Sequence, residues 1–354
     1  MRTDYSYQPK AAEIVLKNLL SGKYIASVLA ACPGAGKTTI SQMVLNKYIA
    51  MSSTAKVVVL TEGQGVLKSQ YLDELQGAHI PINFTFGGFE SDAQVRVGLP
   101  QSIGRLAWEQ IDLLVVDEAH NFYFADTVQA IIKKLNPKHI MLMTGSPTKF
   151  NLHNLKNETK YGIHYISAEL LQRQGVFSAV NMDVIRVADK KNAKITTARA
   201  LNFATAKGDD LSKIMIACPS IAYATEVAVV LKEFGYIVAL STSKNDQEDQ
   251  EIRNFKSGQA NALIVVGKGI LGFNDSNITA LFDFKGSDNV DSAYQLFARV
   301  LRKHAKGVVK SYYRIADKDF NKQVLTLHKI LGLMKTEIFT GFTGKNLKLE
   351  IAGV

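Results

Sequence analysis

The chain has 354 residues, 47% hydrophobic and 21% charged, with a formal net charge of +10. This composition excludes a disordered or fibrous chain, and the length suggests two domains, each able to bury its own core. Only two cysteines occur, Cys32 and Cys218, which excludes a disulfide framework, and no apolar run reaches the roughly 18 residues of a membrane-spanning helix. The positive balance favours nucleic acid as a partner, ahead of an anionic membrane surface. Without an apolar signal core at Met1–Tyr5, the expectation is a cytoplasmic protein with no membrane partner.

In chain order, Tyr5-Ser6-Tyr7-Gln8-Pro9-Lys10 leads into a helix expected to bury Ile14, Val15, Leu16, Leu19 and Leu20. Gln8 offers both an amide donor and an acceptor, enough to fork onto an adenine edge. The apolar run from Ile25 to Ala30 predicts a short buried strand. It stops at Ala31-Cys32-Pro33-Gly34-Ala35-Gly36-Lys37-Thr38, and helical apolar spacing resumes from Thr38. Strand, glycine loop and helix in that order are the setting of a phosphate-binding loop. Gly34 and Gly36 let the backbone turn its N–H groups inward, and the helix offers its positive end to the same anion. Pro33, Gly34, Ala35, Gly36, Lys37, Thr38 and Thr39 are therefore candidate nucleotide contacts. Lys37 would reach the outer phosphates, and the Thr38 hydroxyl would hold Mg²⁺. Cys32 lies inside this loop, so thiol alkylation is expected to inhibit and ATP to protect.

Lys56–Leu60 is a second buried strand, and Ile80–Val97 holds strand-like pieces around Phe84, Phe86 and Val95. Ile111–Val116 delivers Asp117-Glu118-Ala119-His120, and Ile140–Met143 delivers Thr144-Gly145-Ser146-Pro147. Strands alternating with helices, each with polar residues at its carboxyl end, describe an open parallel sheet with one active edge. A polar stretch, Ala188–Lys194, precedes a second series: strands at Ile214–Cys218, Ile237–Leu240, Ala262–Val266 and Ala280–Phe284, then Ser311–Ile315 and a helix through Leu333. The expected architecture is α/β, two tandem P-loop-type domains with mainly parallel sheets, residues 1–190 and 191–354, with a nucleotide cleft between them.

Asp117 and Glu118 leave their strand at the same edge as the glycine loop. An aspartate there can position Mg²⁺ through its water shell, and the glutamate can orient and deprotonate an attacking water. From the second series, Asp291–Lys303 reads as a helix. Its Gln295, Arg299 and Arg302, spaced four and three apart, fall within about 60° on one face. Two guanidinium groups aimed into the cleft can neutralise charge building on a transferred phosphate.

Taken together, these residues resemble the superfamily 2 helicases and translocases of the DEAH-containing kind. Ala31–Thr38 corresponds to motif I, Asp117–His120 to motif II, Thr144–Pro147 to motif III and Gln295–Arg302 to motif VI, with Tyr7-Gln8 like the adenine-reading glutamine region. Leu67 and Gln70 fall as in motif Ia, Gln101-Ser102 near motif Ib and Cys218-Pro219-Ser220 as in motif IV. The stretch Arg299-Val300-Leu301-Arg302-Lys303-His304 most resembles phage recombination and branch-migration helicases, which would place a viral chain in the host cytoplasm. Ala298 stands where motif VI usually has glycine. In motif V, Val266-Gly267-Lys268 lacks the usual Ser or Thr, while Gly272-Phe273-Asn274-Asp275 keeps the glycine and polar end.

The resemblance implies two RecA-like domains and an ATP-dependent, Mg²⁺-requiring helicase or translocase acting on single-stranded or branched DNA. It also implies that His120, Thr144, Ser146 and Gly272 couple the nucleotide site to the nucleic-acid face. Lys68, Gln101, Ser102, Arg105, Lys244 and Lys268 are the candidate contacts there, expected to grip phosphates without regard to sequence. Two alternatives stay open. One is a duplex translocase or RNA helicase of the same fold; the other is a nucleotide-gated clamp or loader that binds a protein partner and hydrolyses ATP poorly.

Overall fold

The computed structural model describes residues 4–61, 82–84, 94–145, 160–242, 244, 250–267 and 275–335. They form two parallel sheets. The first draws on β1 (Ala26–Ala31), β2 (Val57–Leu60), β3 (Ile82–Phe84), β4 (Val95–Gly98), β5 (Leu113–Val116), β6 (His139–Thr144) and β7 (Tyr161–Ile166), in the order β3-β4-β2-β5-β6-β1-β7. Helices α1 (Tyr7–Leu20), α2 (Lys37–Met51), α3 (Pro100–Ile103), α4 (Ala119–Phe122), α5 (Asp126–Leu135) and α6 (Ala168–Arg173) belong to this half. Every residue of β1, β2 and β5 is buried, as expected of parallel strands covered on both faces. The parallel register pairs Ala30 with Thr144 and Leu60 with Val116, so the carboxyl ends of β1, β2, β5 and β6 share one edge.

The second sheet runs β10-β11-β9-β12-β13-β8. Its strands are β8 (Val180–Arg186), β9 (Ile214–Ala217), β10 (Val238–Thr242), β11 (Ala262–Val266), β12 (Ala280–Asp283) and β13 (Lys310–Ala316). Its helices are α7 (Ala193–Ala206), α8 (Ile221–Glu233), α9 (Gln250–Ser257), α10 (Val290–Leu301) and α11 (Phe320–Lys335). Side chains that compete poorly inside helices start several of these: Asn192, Ser220 and Asn289 each accept a hydrogen bond from a backbone N–H three residues on.

Three sequence expectations change. The chain crosses between sheets before residue 190, because β8 pairs along its whole length with β13; the crossover is 174–179. The helix expected to run to Lys303 ends at Leu301. In α1, the buried stripe is Ala11, Ala12, Val15 and Leu19, while Ile14 and Leu20 are exposed. The small alanines allow α1 to lie close on α2 and the sheet, which turns Ile14 outward. Among the described residues, no helix is long and apolar enough to cross a membrane.

Candidate active site

The glycine loop is anchored beside β7 at the end of β1. Cys32 N–H donates to Ile166 O at 3.1 Å, extending the pairing with β7, and Ala35 N–H returns to Cys32 O at 3.0 Å. Gly34 and Gly36 follow with φ of +93° and +78°, a left-handed backbone that favours glycine. Gly36 then starts α2, its carbonyl accepting from Ile40 N–H at 2.9 Å. From above, Tyr7 donates its hydroxyl to Ala35 O at 2.7 Å, and a Cβ on Gly36 would stand 2.5 Å from Gln8 Nε2. The start of α1 is thus clamped onto the loop. Pro33 is buried, and Lys37, Thr38 and Thr39 are half-buried on the first turn of a 15-residue helix.

The acidic pair arrives along β5. Asp117 N–H donates to Leu60 O at 2.9 Å, prolonging the sheet, and Asp117 Oδ1 accepts from Glu118 N–H at 2.9 Å. Glu118 itself has φ 45° and ψ 43°. That left-handed backbone costs a non-glycine residue on the order of 1 kcal/mol. It accompanies a carboxylate set 3.6 Å from Lys37 Nζ and 3.4 Å from His120 Nδ1, with Gly145 N–H donating to it at 3.4 Å. Burial raises the Glu118 pKa, but Lys37, His120, the Gly145 N–H and Arg299 outweigh it and hold the carboxyl below its ordinary value. Thr144 Oγ1 lies 3.0 Å from His120 Nδ1. A Cβ at Gly145 would stand 2.9 Å from Lys37 Nζ and 3.3 Å from Pro33 Cγ, so a side chain there would push the lysine tip aside.

The second sheet reaches this cluster through α10. Gln295 Nε2 is 3.5 Å from His120 Nε2. Arg299 is close enough to act on the Glu118 charge; burial and Arg302 bring its pKa down to about 10, with Glu118 opposing, so it stays cationic at neutral pH. Arg302 does not continue the helical face. It is the residue after the helix, extended at φ −60° and ψ 139°, and its Nε lies 3.4 Å from where a Cβ on Gly34 would sit. The helical spacing that put Arg302 on one face with Gln295 and Arg299 therefore does not hold at this residue. Tyr294, one position before Gln295, donates its hydroxyl to Cys32 Sγ at 2.9 Å. Burial pushes that thiol up to about 12, so Cys32 is protonated and covered rather than open to alkylation.

Gln8, Lys37, Glu118, His120, Thr144, Gln295, Arg299 and Arg302 thus gather where the two sheets meet. Gln101 and Arg105 are exposed and Ser102 half-buried, in and just after α3 beyond the carboxyl end of β4; Lys244 is exposed beyond β10. Lys68, Ser146, Lys268 and Gly272 lie outside the described residues. Tyr7, Tyr294 and Phe177 join the site without having been singled out as site residues. Tyr7 and Tyr294 each adjoin a residue that was, whereas nothing in the local sequence marks Phe177.

A polyphosphate fits this cradle: two left-handed glycines, a helix start and a half-buried lysine converge on it. Among the described residues, no group of three or more His, Cys, Asp or Glu side chains could hold a metal. Thr38, on the first turn of α2, and Asp117, just past β5, are the residues expected to hold Mg²⁺, with phosphate and water as its other ligands.

Residues 3–149 match the family model described as the Type III restriction enzyme, res subunit. No curated protein matches the chain. Among solved structures, a variant of S. cerevisiae Dbp5 bound to RNA and ADP BeF3 is 16% identical, with 93% of this chain and 88% of that one covered at a TM-score of 0.66. A DEAD box protein from the hyperthermophile Methanococcus jannaschii is 19% identical over 94% of this chain and 91% of that one, TM-score 0.52. A fragment described as the HsdR subunit of a type I restriction enzyme from Vibrio vulnificus is 16% identical over 89% of this chain and 66% of that one, TM-score 0.70. At these identities the likeness is one of fold: two parallel-sheet α/β domains of the RecA-like kind.

Proposed function

We propose that this chain is an ATP-driven nucleic-acid motor, a helicase or translocase whose track is DNA, single-stranded or branched. The observation that carries the reading is the meeting of Lys37, Glu118 and His120, with Lys37 and Glu118 3.6 Å apart, and Gln295 and Arg299 from the facing domain. A module that only bound nucleotide would have no use for a depressed carboxylate ringed by cations from both domains. The match of residues 3–149 to a restriction-enzyme subunit model supports DNA, and the Dbp5 neighbour, solved with RNA, makes RNA the alternative track. The Asp-Glu-Ala-His sequence at 117–120 and the arginine segment 299–304 support the DEAH-containing group that acts on recombination and replication intermediates.

In this reading, the loop N–H groups and Lys37 hold the phosphates of ATP, and Gln8 meets the adenine. Bound Mg²⁺, positioned by Thr38 and Asp117, would supply charge neutralisation on the phosphate oxygens. Glu118, ionised at neutral pH, orients water and accepts its proton. Arg299 and Arg302 face charge that grows in the transition state, and because they sit on the second domain their contribution depends on how the domains lie. His120 touches Glu118, Thr144 and Gln295, which makes it the group through which hydrolysis is felt by both domains. Phosphate contacts from Gln101, Ser102, Arg105 and Lys244 would grip the track, joined by Lys68 and Lys268, while Ser146 and Gly272 would complete the coupling.

The test is steady-state ATP hydrolysis with Mg²⁺, alone and with single-stranded DNA, duplex, a branched junction or RNA, beside Lys37→Ala. Stimulation by DNA that disappears in Lys37→Ala is the expected result. Stimulation by RNA alone would reassign the track. Lys37-dependent hydrolysis indifferent to every nucleic acid would replace the motor with a partner-gated clamp.

A further inference from the structure

Arg302 lies beyond the last turn of α10, so the helix does not aim it. The crossover between the two sheets does. Phe177 pairs with Arg302 as an antiparallel bridge. Around that pair, Ser178 N–H donates to Leu301 O at 2.7 Å and Lys303 N–H donates to Val176 O at 3.1 Å. The Ser178 hydroxyl accepts from His304 N–H at 3.1 Å. The strap Val176–Ser178 is therefore stitched to both flanks of Arg302.

Its other attachments are in the first domain. Val176 N–H donates to Leu171 O at 2.8 Å, at the end of α6, and Gln174 O accepts from Asp4 N–H at 3.0 Å, beside the start of α1. The Phe177 side chain is 4% exposed, and its ring stands 3.4 Å from where a Cβ on Gly34 would be, as close as Arg302 Nε. Loop glycine, aromatic ring and guanidinium thus converge on one point. A bare tether would leave Arg302 free to take many orientations relative to the phosphate loop; this strap selects one.

We propose that Phe177 and Ser178 are positioning residues that hold Arg302 over the phosphate loop, so that the crossover sets the register between the two halves of the nucleotide site. This rests on the ATP-site reading above. The Ser178 hydroxyl and the backbone bridge fix the main chain on either side of Arg302, and the Phe177 ring seats that main chain against Gly34. Any motion that parts the domains must lift the ring from Gly34 or unstitch the bridge. The strap therefore carries the state of the loop to Arg302 directly, by a route separate from His120.

The experiment combines kinetics with the reactivity of the two native cysteines in the full chain. Cys32 is covered by Tyr294 at this same seam, whereas Cys218 is buried in the second domain's own core, which makes it an internal control. Phe177→Ala is expected to lower kcat for ATP hydrolysis by roughly tenfold or more, as misplaced catalytic groups do. KM for ATP should change by less than about twofold, because uniform binding is untouched. Phe177→Leu should restore most of the loss, and Ser178→Ala should fall between. Without nucleotide, N-ethylmaleimide should label Cys32 of Phe177→Ala faster than in the parent while Cys218 stays unreactive. Unchanged kcat with unchanged Cys32 labelling would overturn the proposal, and so would equal acceleration at both cysteines, the mark of general loosening. If the parent shows no Lys37-dependent hydrolysis, the ATP-site reading fails, and the Cys32 rate still decides whether the strap seals the seam.

Discussion

At the scale of single residues, Lys310 ties stability to pH, its side chain fully buried at the start of β13. Its ammonium donates to Ser276 O at 2.7 Å. Burial lowers its pKa to about 8, opposed by Asp275 and reinforced by Arg302. The sign of the consequence follows from proton counting. Between that folded value and the ordinary lysine value of about 10.4, the unfolded chain holds the proton and the native chain has released it, so stability rises with pH. Below the folded value both states are protonated, and the buried charge is a standing cost. Urea unfolding at pH 7.5 and pH 10 should show the parent gaining up to roughly 3 kcal/mol relative to Lys310→Met, which lacks the titration. A parent-to-variant difference that is the same at both values would show that the ammonium is solvated rather than buried.

Among elements, the one that carries Gln295 and Arg299 is held at its start by a buried ion pair. Arg314 Nη1 on β13 lies 3.1 Å from Asp283 Oδ2 at the end of β12, both side chains at most 1% exposed. Arg314 also donates to Ser287 O at 2.7 Å and to Gln323 Oε1 at 2.9 Å, while Asp283 Oδ1 accepts from Gly286 N–H at 2.9 Å. These bonds fix the turn 284–289 that feeds α10, and the Asn289 side chain then caps the helix by accepting from Ser292 N–H at 3.0 Å. Removing one member leaves the other charge buried without its partner, so Arg314→Met should cost about 3–5 kcal/mol in chemical denaturation. Adding Asp283→Leu should recover part of that loss; a double variant worse than the sum would mean the pair is not the unit that matters. Such anchors are hard to read from sequence, because an arginine and an aspartate in separate strands carry no spacing signal. The central strands were legible, since burial on both faces writes an apolar run such as Val57–Leu60 or Leu113–Val116. Strands β7 and β8 were not, because they lie at the edges of their sheets and mix Gly162 and His164, or Asn181 and Asp183, among apolar and aromatic residues. The glycine loop and the acidic pair were legible because their chemistry is local and contiguous. Arg302 was misplaced because its helical period was extended past the point where pairing with Phe177 takes over, and the left-handed backbone of Glu118 follows from its surroundings rather than its neighbours in sequence.

For the whole molecule, the decisive feature is that one apolar cluster runs through both domains. Tyr7, Cys32, Val176 and Phe177 belong to the same packed group as Tyr294, Phe297 and Tyr312. The last helix, α11, adds to the seam: it packs on α6 as well as on its own sheet, and Tyr165 donates its hydroxyl to Leu333 O at 3.5 Å. Domains joined by a small polar interface move and melt separately, whereas a shared apolar core makes the exposure of one half costly to the other. Calorimetry of the parent should therefore show one unfolding transition, with calorimetric and van't Hoff enthalpies in agreement. Tyr294→Ala removes the ring that covers Cys32, at an expected cost of about 3–5 kcal/mol, and should split the transition in two as the first and second sheets unfold at separate temperatures. Two resolved transitions in the parent would mean that the seam contributes little and that the domains are tied mainly by the crossover. One transition in the parent and two in the variant would mean that an apolar contact centred on Tyr294 holds the two domains together, so that parting them uncovers Cys32.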